Sequence, residues 1–168
     1  MRPSHKGFTL IELLVVVAII GLLSSVVLAS LNATRARARD AQRISDLKQL
    51  QVALELYASD HGGAYPLTSA SAPPALWGNC SSFGSRPNTG ATGWIPGLAP
   101  AYMPVLPTDP SQTEPYRCYT YRSNGTDYMA YAFFAEANGG AGNPLKRPGE
   151  SAIGYPSMVV YTPGAAAW

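Results

Sequence analysis

The chain has 168 residues, 46% of them hydrophobic and only 13% charged, with 12 Lys+Arg against 10 Asp+Glu for a formal net charge of +2. That length holds one ordinary domain with an appendage, and the composition excludes charge-driven disorder and a nucleic-acid binder that works through bulk charge. Two histidines and two cysteines, wrongly spaced, exclude a dedicated zinc site.

The averages conceal a split near residue 61. Pro3 is the sole proline before it, whereas the rest of the 15 prolines, both cysteines and all 3 tryptophans follow it. The first part reads as continuous helix, the second as loop and strand. Met1–Lys6 is short and basic (Arg2, His5, Lys6), and Gly7 follows. Phe8–Leu31, FTLIELLVVVAIIGLLSSVVLASL, is apolar apart from Glu12 and a few small hydroxyls. As a helix this stretch rises roughly 36 Å, enough to cross a hydrocarbon core of about 30 Å. Three readings are open at this point: a plain single-pass anchor carrying a ligand-binding ectodomain, a secreted protein cut after Ala29, and an assembly helix. The run is long for a signal-peptide core, and Glu12 counts against a plain anchor. An acid in a spanning helix is costly, so it is a functional residue by default and needs a partner. Cleavage after Gly7 would supply one. Phe8 would then carry a free α-amine, and a neighbouring copy displaced along the axis would bring that amine to Glu12. Burying the two charges as a pair costs much less than burying either alone, and the carboxylate would fix the axial register.

Gly7-Phe8-Thr9-Leu10-Ile11-Glu12-Leu13-Leu14-Val15-Val16-Val17-Ala18-Ile19-Ile20-Gly21 resembles the processing motif of type IV pilins and type II secretion pseudopilins. The resemblance implies a leader peptide over 1–7, cleavage after Gly7 and N-methylation of Phe8, which keeps the amine charged. It implies Glu12 as the assembly residue and polymerisation with like subunits. It further implies a prepilin peptidase, a membrane assembly platform and a cytoplasmic motor ATPase as partners. The precursor would sit in the bacterial inner membrane, in contact with lipid, with its head outside the cytoplasm. The mature form would stand in a surface pilus or, as the alternative, a secretion pseudopilus. Many pilus-forming members carry a proline later in the apolar helix, and this chain has none there.

The helix is expected to continue over 32–61, where Ile44, Leu47, Leu50, Leu54 and Tyr57 fall on one stripe. Arg37, Asp40, Arg43, Lys48 and Glu55 fall mainly on the other positions, and His61-Gly62-Gly63 is a stop signal. Arg35, Arg37, Arg39 and Arg43 read as a basic collar in solvent or at lipid headgroups, with pairing to acids on neighbouring subunits as the alternative. Positive-inside counting would place that collar in the cytoplasm, opposite to the topology the leader motif implies. The alternating RARAR pattern spreads charge around the helix instead of gathering it on one face, which counts against DNA binding.

Residues 62–168 are expected to form a globular head, giving an α+β architecture: a helical spine, an irregular loop over 64–115 and a small antiparallel sheet, as in pilins. Trp77, Trp94, Ile95, Leu98, Tyr102, Met103 and Leu106 are the candidate anchors of the loop. Strands are expected at about 117–122, 128–134 and 157–162, with Asn124-Gly125 as a hairpin signal between the first two. Leu106-Pro107-Thr108-Asp109-Pro110, with Pro115-Tyr116, resembles the LPxDP…PY segment of major pseudopilins and many small pilins, some of which place calcium in this region. Asp109, Glu114 and Asp127 are the nearby acids. They lack a ligand-loop pattern, so turn and cap roles are the default, no metal site is assigned, and Asp109 and Asp127 remain weak calcium candidates. In an exported domain Cys80 and Cys118 form a disulfide, closing a loop of about 38 residues for roughly 3–4 kcal/mol; two buried thiols are the alternative. Neither histidine lies in the body of the head, so no serine or cysteine there has a histidine base. Gly139-Gly140-Ala141-Gly142 lacks the lysine of a phosphate loop and reads as a turn. No catalytic residue and no cofactor is expected.

Overall fold

The computed structural model describes residues 7–71, 73–113, 115–137, 145–146 and 157–168. Most of the leader, Glu114 and the Gly139–Gly142 turn lie outside the described residues. The chain forms two compact units, Met1–Ala36 and Arg37–Trp168. One helix, α1 (Leu10–Asp60), runs through both.

In the first unit α1 is apolar from Leu10 to Leu31 apart from Glu12 and a few small hydroxyls. Leu10, Leu13, Val17, Leu22 and Val26 are all at least 60% exposed. An 18-residue window of α1 reaches a mean hydropathy of 2.8, long and apolar enough to cross a membrane.

In the second unit α1 becomes one-sided. Leu47, Leu50 and Leu54 are fully buried, with Ile44 and Tyr57 packed beside them, as the 3–4 spacing requires. The helix ends at Asp60, and the Gly63 N–H reaches back to the Ala58 carbonyl at 2.8 Å, with positive φ at Gly62 and Gly63. The head sheet has four antiparallel strands in sequential order: β1 (Trp77–Gly78), β2 (Tyr119–Ser123), β3 (Tyr128–Phe133) and β4 (Ser157–Tyr161). Alternate residues of one sheet face (Tyr119, Tyr121, Tyr128, Ala130, Ala132, Met158, Val160) join Leu47, Leu50 and Leu54 in a single core. The architecture is α+β, as expected.

Three details differ from the sequence reading. The first long strand begins at Tyr119, because Arg117 pairs with Thr113 in a separate bridge ahead of the sheet. Phe134 takes a φ of +62°, which ends β3 at Phe133. The fourth strand, β1, sits inside the expected loop. It is only two residues long, and it approaches β2 so closely that a Cβ on Gly78 would lie 2.9 Å from the Tyr119 carbonyl oxygen. The rest of the long loop is irregular but anchored, with Trp94, Ile95 and Leu98 fully buried and Leu106 nearly so.

Tyrosine hydroxyls fasten the rear of α1 to the head. Tyr119 donates to Asp46 at 2.7 Å, Tyr65 to Glu55 at 3.1 Å and Tyr102 to Asp60 at 3.0 Å. Burial, then the Asp46 carboxylate, push the Tyr119 hydroxyl far above its ordinary pKa, so it stays a donor. Burial also raises Asp46, against the opposing pull of that hydrogen bond.

Candidate functional site

The N-terminal site begins in non-helical, exposed chain. Gly7, Phe8 and Thr9 precede α1, and Phe8 is 85% exposed. Thr9 is the residue that starts the helix. Its backbone N–H and its hydroxyl both donate to Glu12 Oε2, at 2.9 and 2.7 Å, and the Glu12 N–H donates back to Thr9 Oγ1 at 3.3 Å. This is a capping box, which satisfies helix-end donors that would otherwise have no partner. Glu12 therefore has a partner inside its own chain. The Thr9-x-x-Glu12 spacing carries that signal in the sequence.

The head carries a second charged site, built on residues assigned above to a solvated collar. Arg35 and Arg37 are exposed. Arg39 and Arg43 are not part of a collar. Arg39 forms a two-pronged bond to Glu136. Arg43 is 1% exposed; its Nε and Nη2 grip both oxygens of Asp109 at 2.7 and 2.9 Å, and its Nη1 donates to Asp40 Oδ1 at 2.7 Å. Asp40, fully buried, also accepts the backbone N–H groups of Glu136 and Ala137 at 3.0 and 2.6 Å. The forked geometry matches guanidinium to carboxylate. Burial works against the charge on Arg43, but Asp109 first, then Asp40 and Glu136, raise its pKa above the guanidinium norm. The bonds from Arg39, then Arg43, against the opposing effect of burial, hold Glu136 down at about 2. The cluster thus bolts α1 to the LPxDP segment and to the exit of β3.

The calcium candidates fall into separate hydrogen-bond sets. Asp109 is taken by Arg43 and by the Ser111 N–H at 2.8 Å. Asp127 accepts from the Thr162 hydroxyl at 2.6 Å, with Gly164 packed so tightly over its carboxylate that a Cβ there would lie 2.2 Å from Oδ2. Among the described residues no three His, Cys, Asp or Glu side chains gather as a metal site would require. Cys80 and Cys118 are fully buried and joined in a disulfide, Cα atoms 5.9 Å apart, which ties the segment after β1 to the start of β2.

Comparison with known proteins bears on the N-terminal site. Residues 2–28 match the prokaryotic N-terminal methylation motif. The chain is 39% identical over 67 residues to the type II secretion system core protein G of Klebsiella michiganensis, covering 40% of this chain and 46% of that one. It is 39% identical over 71 residues to the core protein G of Escherichia coli, covering 41% and 48%. It is 38% identical over 59 residues to the type IV major pilin protein PilA of Myxococcus xanthus, covering 35% and 27%. The chain thus spans about half the length, or less, of the curated relatives it matches. No solved structure matches it.

Proposed function

We propose that this chain is a structural, non-enzymatic subunit, cleaved after Gly7, N-methylated on Phe8 and polymerised through α1 into a type IV pilus-type filament. The observation that carries the reading is the methylation motif over residues 2–28, set on a helix segment whose large apolar side chains are exposed. An apolar surface of this kind is covered by lipid before assembly and by like helices after it. The capping box adds a step. In the lone subunit Glu12 is held by Thr9. In the filament the freed α-amine of a neighbouring Phe8 takes the carboxylate, and the exchange sets the axial register. A prepilin peptidase, an assembly platform and a motor ATPase are the partners this route requires. The precursor resides in the inner membrane with the head outside the cytoplasm, where the disulfide is stable.

Two experiments test the reading. Mass spectrometry of the mature protein from native cells is expected to find N-methylated Phe8 as the first residue; an intact Met1 or a start at Ser30 would overturn the proposal. Glu12→Leu is expected to be made and membrane-inserted at normal levels but to yield no sheared filaments, and normal filament yield would equally end it. A second reading, a type II secretion pseudopilus, is favoured by the core protein G matches. Loss of exoprotein secretion, with twitching and surface pili intact, on deletion of the gene would select it.

A further inference from the structure

Beside β1 the head has a small polar pocket of about 270 Å³, lined by Asn79, Arg86, Pro87, Asn88, Thr108 and Gln112. It is shallow and open to solvent, and its volume lies just under the range of about 300–1,000 Å³ typical of ligand pockets, which leaves room for no more than one small ring. Its neutral side chains brace one another. Asn79 Nδ2 donates to Asn88 Oδ1 and to Gln112 Oε1, each at 3.2 Å, and Asn88 Nδ2 donates to Thr108 Oγ1 at 2.9 Å. The Arg86 guanidinium is fixed differently. It stacks on the Trp77 ring, 3.4 Å from the centroid, while its backbone N–H is bonded to the Gly78 carbonyl at 2.9 Å. Among the described residues no carboxylate lines the pocket or pairs with this guanidinium. Arg39, Arg43 and Arg117, by contrast, all face Glu136. The adjacent Cys80–Cys118 disulfide holds the segment in place. Among the described residues the guanidinium fork has no hydrogen-bond acceptor, and it lies next to amides and a hydroxyl that both donate and accept.

That donor set suits one negative charge together with several hydroxyls. A guanidinium takes a carboxylate on two parallel bonds, and amides and hydroxyls take ring hydroxyls. Pro87 is the sole apolar side chain in the lining, so an oily ligand has nothing to pack on. We propose that the pocket binds a hydroxylated carboxylate the size of a single uronic acid residue, with Arg86 on the carboxylate and Asn88, Thr108 and Gln112 on the hydroxyls. This proposal stands or falls independently of filament assembly.

The test titrates the full chain in amine-oxide micelles with galacturonic acid, galactose and acetate, following the side-chain amide signals of Asn79, Asn88 and Gln112 and the indole signal of Trp77. Galacturonic acid is expected to shift these signals with an affinity at least tenfold above galactose, which lacks the carboxylate, and above acetate, which lacks the hydroxyls. Arg86→Gln is expected to erase the preference for galacturonic acid over galactose while leaving the melting temperature in place. Should Arg86→Gln unsettle the fold, Arg86→Lys decides: it keeps the charge, loses the fork, and is expected to weaken galacturonic acid tenfold with galactose unchanged. Equal binding of acetate would reduce the pocket to an unselective anion contact. Equal binding of galactose, or indifference to both Arg86 variants, would also overturn the proposal. Trigalacturonate separates the sources: binding at least as tight as the monomer assigns an acidic polysaccharide, and exclusion of the trimer assigns a free sugar acid.

Discussion

The two ends of α1 share one backbone conformation and almost nothing else. From Leu10 to Leu28 the large apolar side chains are exposed, and the one acid, Glu12, is held by Thr9 three residues back. From Asp40 to Ala58 a narrow stripe is buried and each buried charge has a partner across the head. Helix propensity serves both ends; the difference lies in what completes them. The rear half is completed within its own chain by a sheet, a loop and an ion cluster. The front half carries an exposed apolar surface of the kind that lipid or other helices cover. A helix with one half completed by its own head and the other half exposed has the two features that the proposed filament subunit requires.

The largest expected effect comes from breaking the rear half at its charged joint. Arg43→Met removes the cation from between Asp40 and Asp109, both of them nearly or fully buried. Breaking a buried pair by removing one partner costs about 3–5 kcal/mol, so the melting temperature of the head, followed by near-ultraviolet circular dichroism, is expected to fall by roughly 10 °C or more. A triple change that also makes Asp40 and Asp109 apolar is expected to recover much of that loss, because no orphan charge remains. Next in size is the staple. Replacing Cys80 and Cys118 together by Ala frees a loop of sequence separation 38 and is expected to lower stability by roughly 3–4 kcal/mol in the chain-entropy account, read as a shift in denaturant midpoint. Neither change is expected to alter membrane insertion, and a loss of insertion in either would break the division drawn here.

How much of this was legible in the sequence follows from the range of each interaction. The helix, the Leu47–Leu50–Leu54 stripe and the β2–β3 hairpin rest on local periodicity and turn chemistry, and they are where the residues place them. The disulfide followed from there being two cysteines in a chain read as exported. The ion cluster was missed because Arg43 meets Asp109 and Glu136 across separations of 66 and 93 residues, and nothing local names a partner at that distance. A signal was present, though. Asp40 and Arg43 continue the 3–4 spacing of Leu47, Leu50 and Leu54 backwards along the helix, so they sit on the buried face. Charged residues in register with an apolar stripe announce a buried pair rather than a collar. The strand β1 was hidden because two residues, Trp77–Gly78, carry no alternation to detect.

A paired truncation sharpens the comparison at the level of single side chains. Leu50 and Leu14 are the same residue type in the same helix, one fully buried and one 63% exposed. Leu50→Ala is expected to cost the head about 2–5 kcal/mol, the usual range for a buried leucine. Leu14→Ala is expected to leave the melting of the head unchanged and to show itself in filament yield instead. If both changes lowered head stability alike, the front of the helix would be part of the folded domain and the contrast would fail.

The smallest expected effect is a pH dependence confined to the acid limb. The Arg39 bonds, helped by Arg43, bring Glu136 from an ordinary 4.5 to about 2 in the folded head. A depressed carboxyl contributes stability that is fully present above its unfolded value and is lost as pH falls through the folded one. Melting temperatures are therefore expected to hold from neutrality down to about pH 5 and then to decline between about pH 4.5 and 2. Glu136→Gln is expected to flatten part of that decline while lowering the neutral-pH value. Because Glu136 is partly exposed, solvent screening keeps its share modest. Added salt is expected to weaken the Arg39–Glu136 contact, at the half-exposed edge of the cluster, more than the Arg43–Asp109 contact. A decline that Glu136→Gln left untouched would remove Glu136 as its source and leave the Arg39 edge of the cluster without a part in the acid sensitivity of the head.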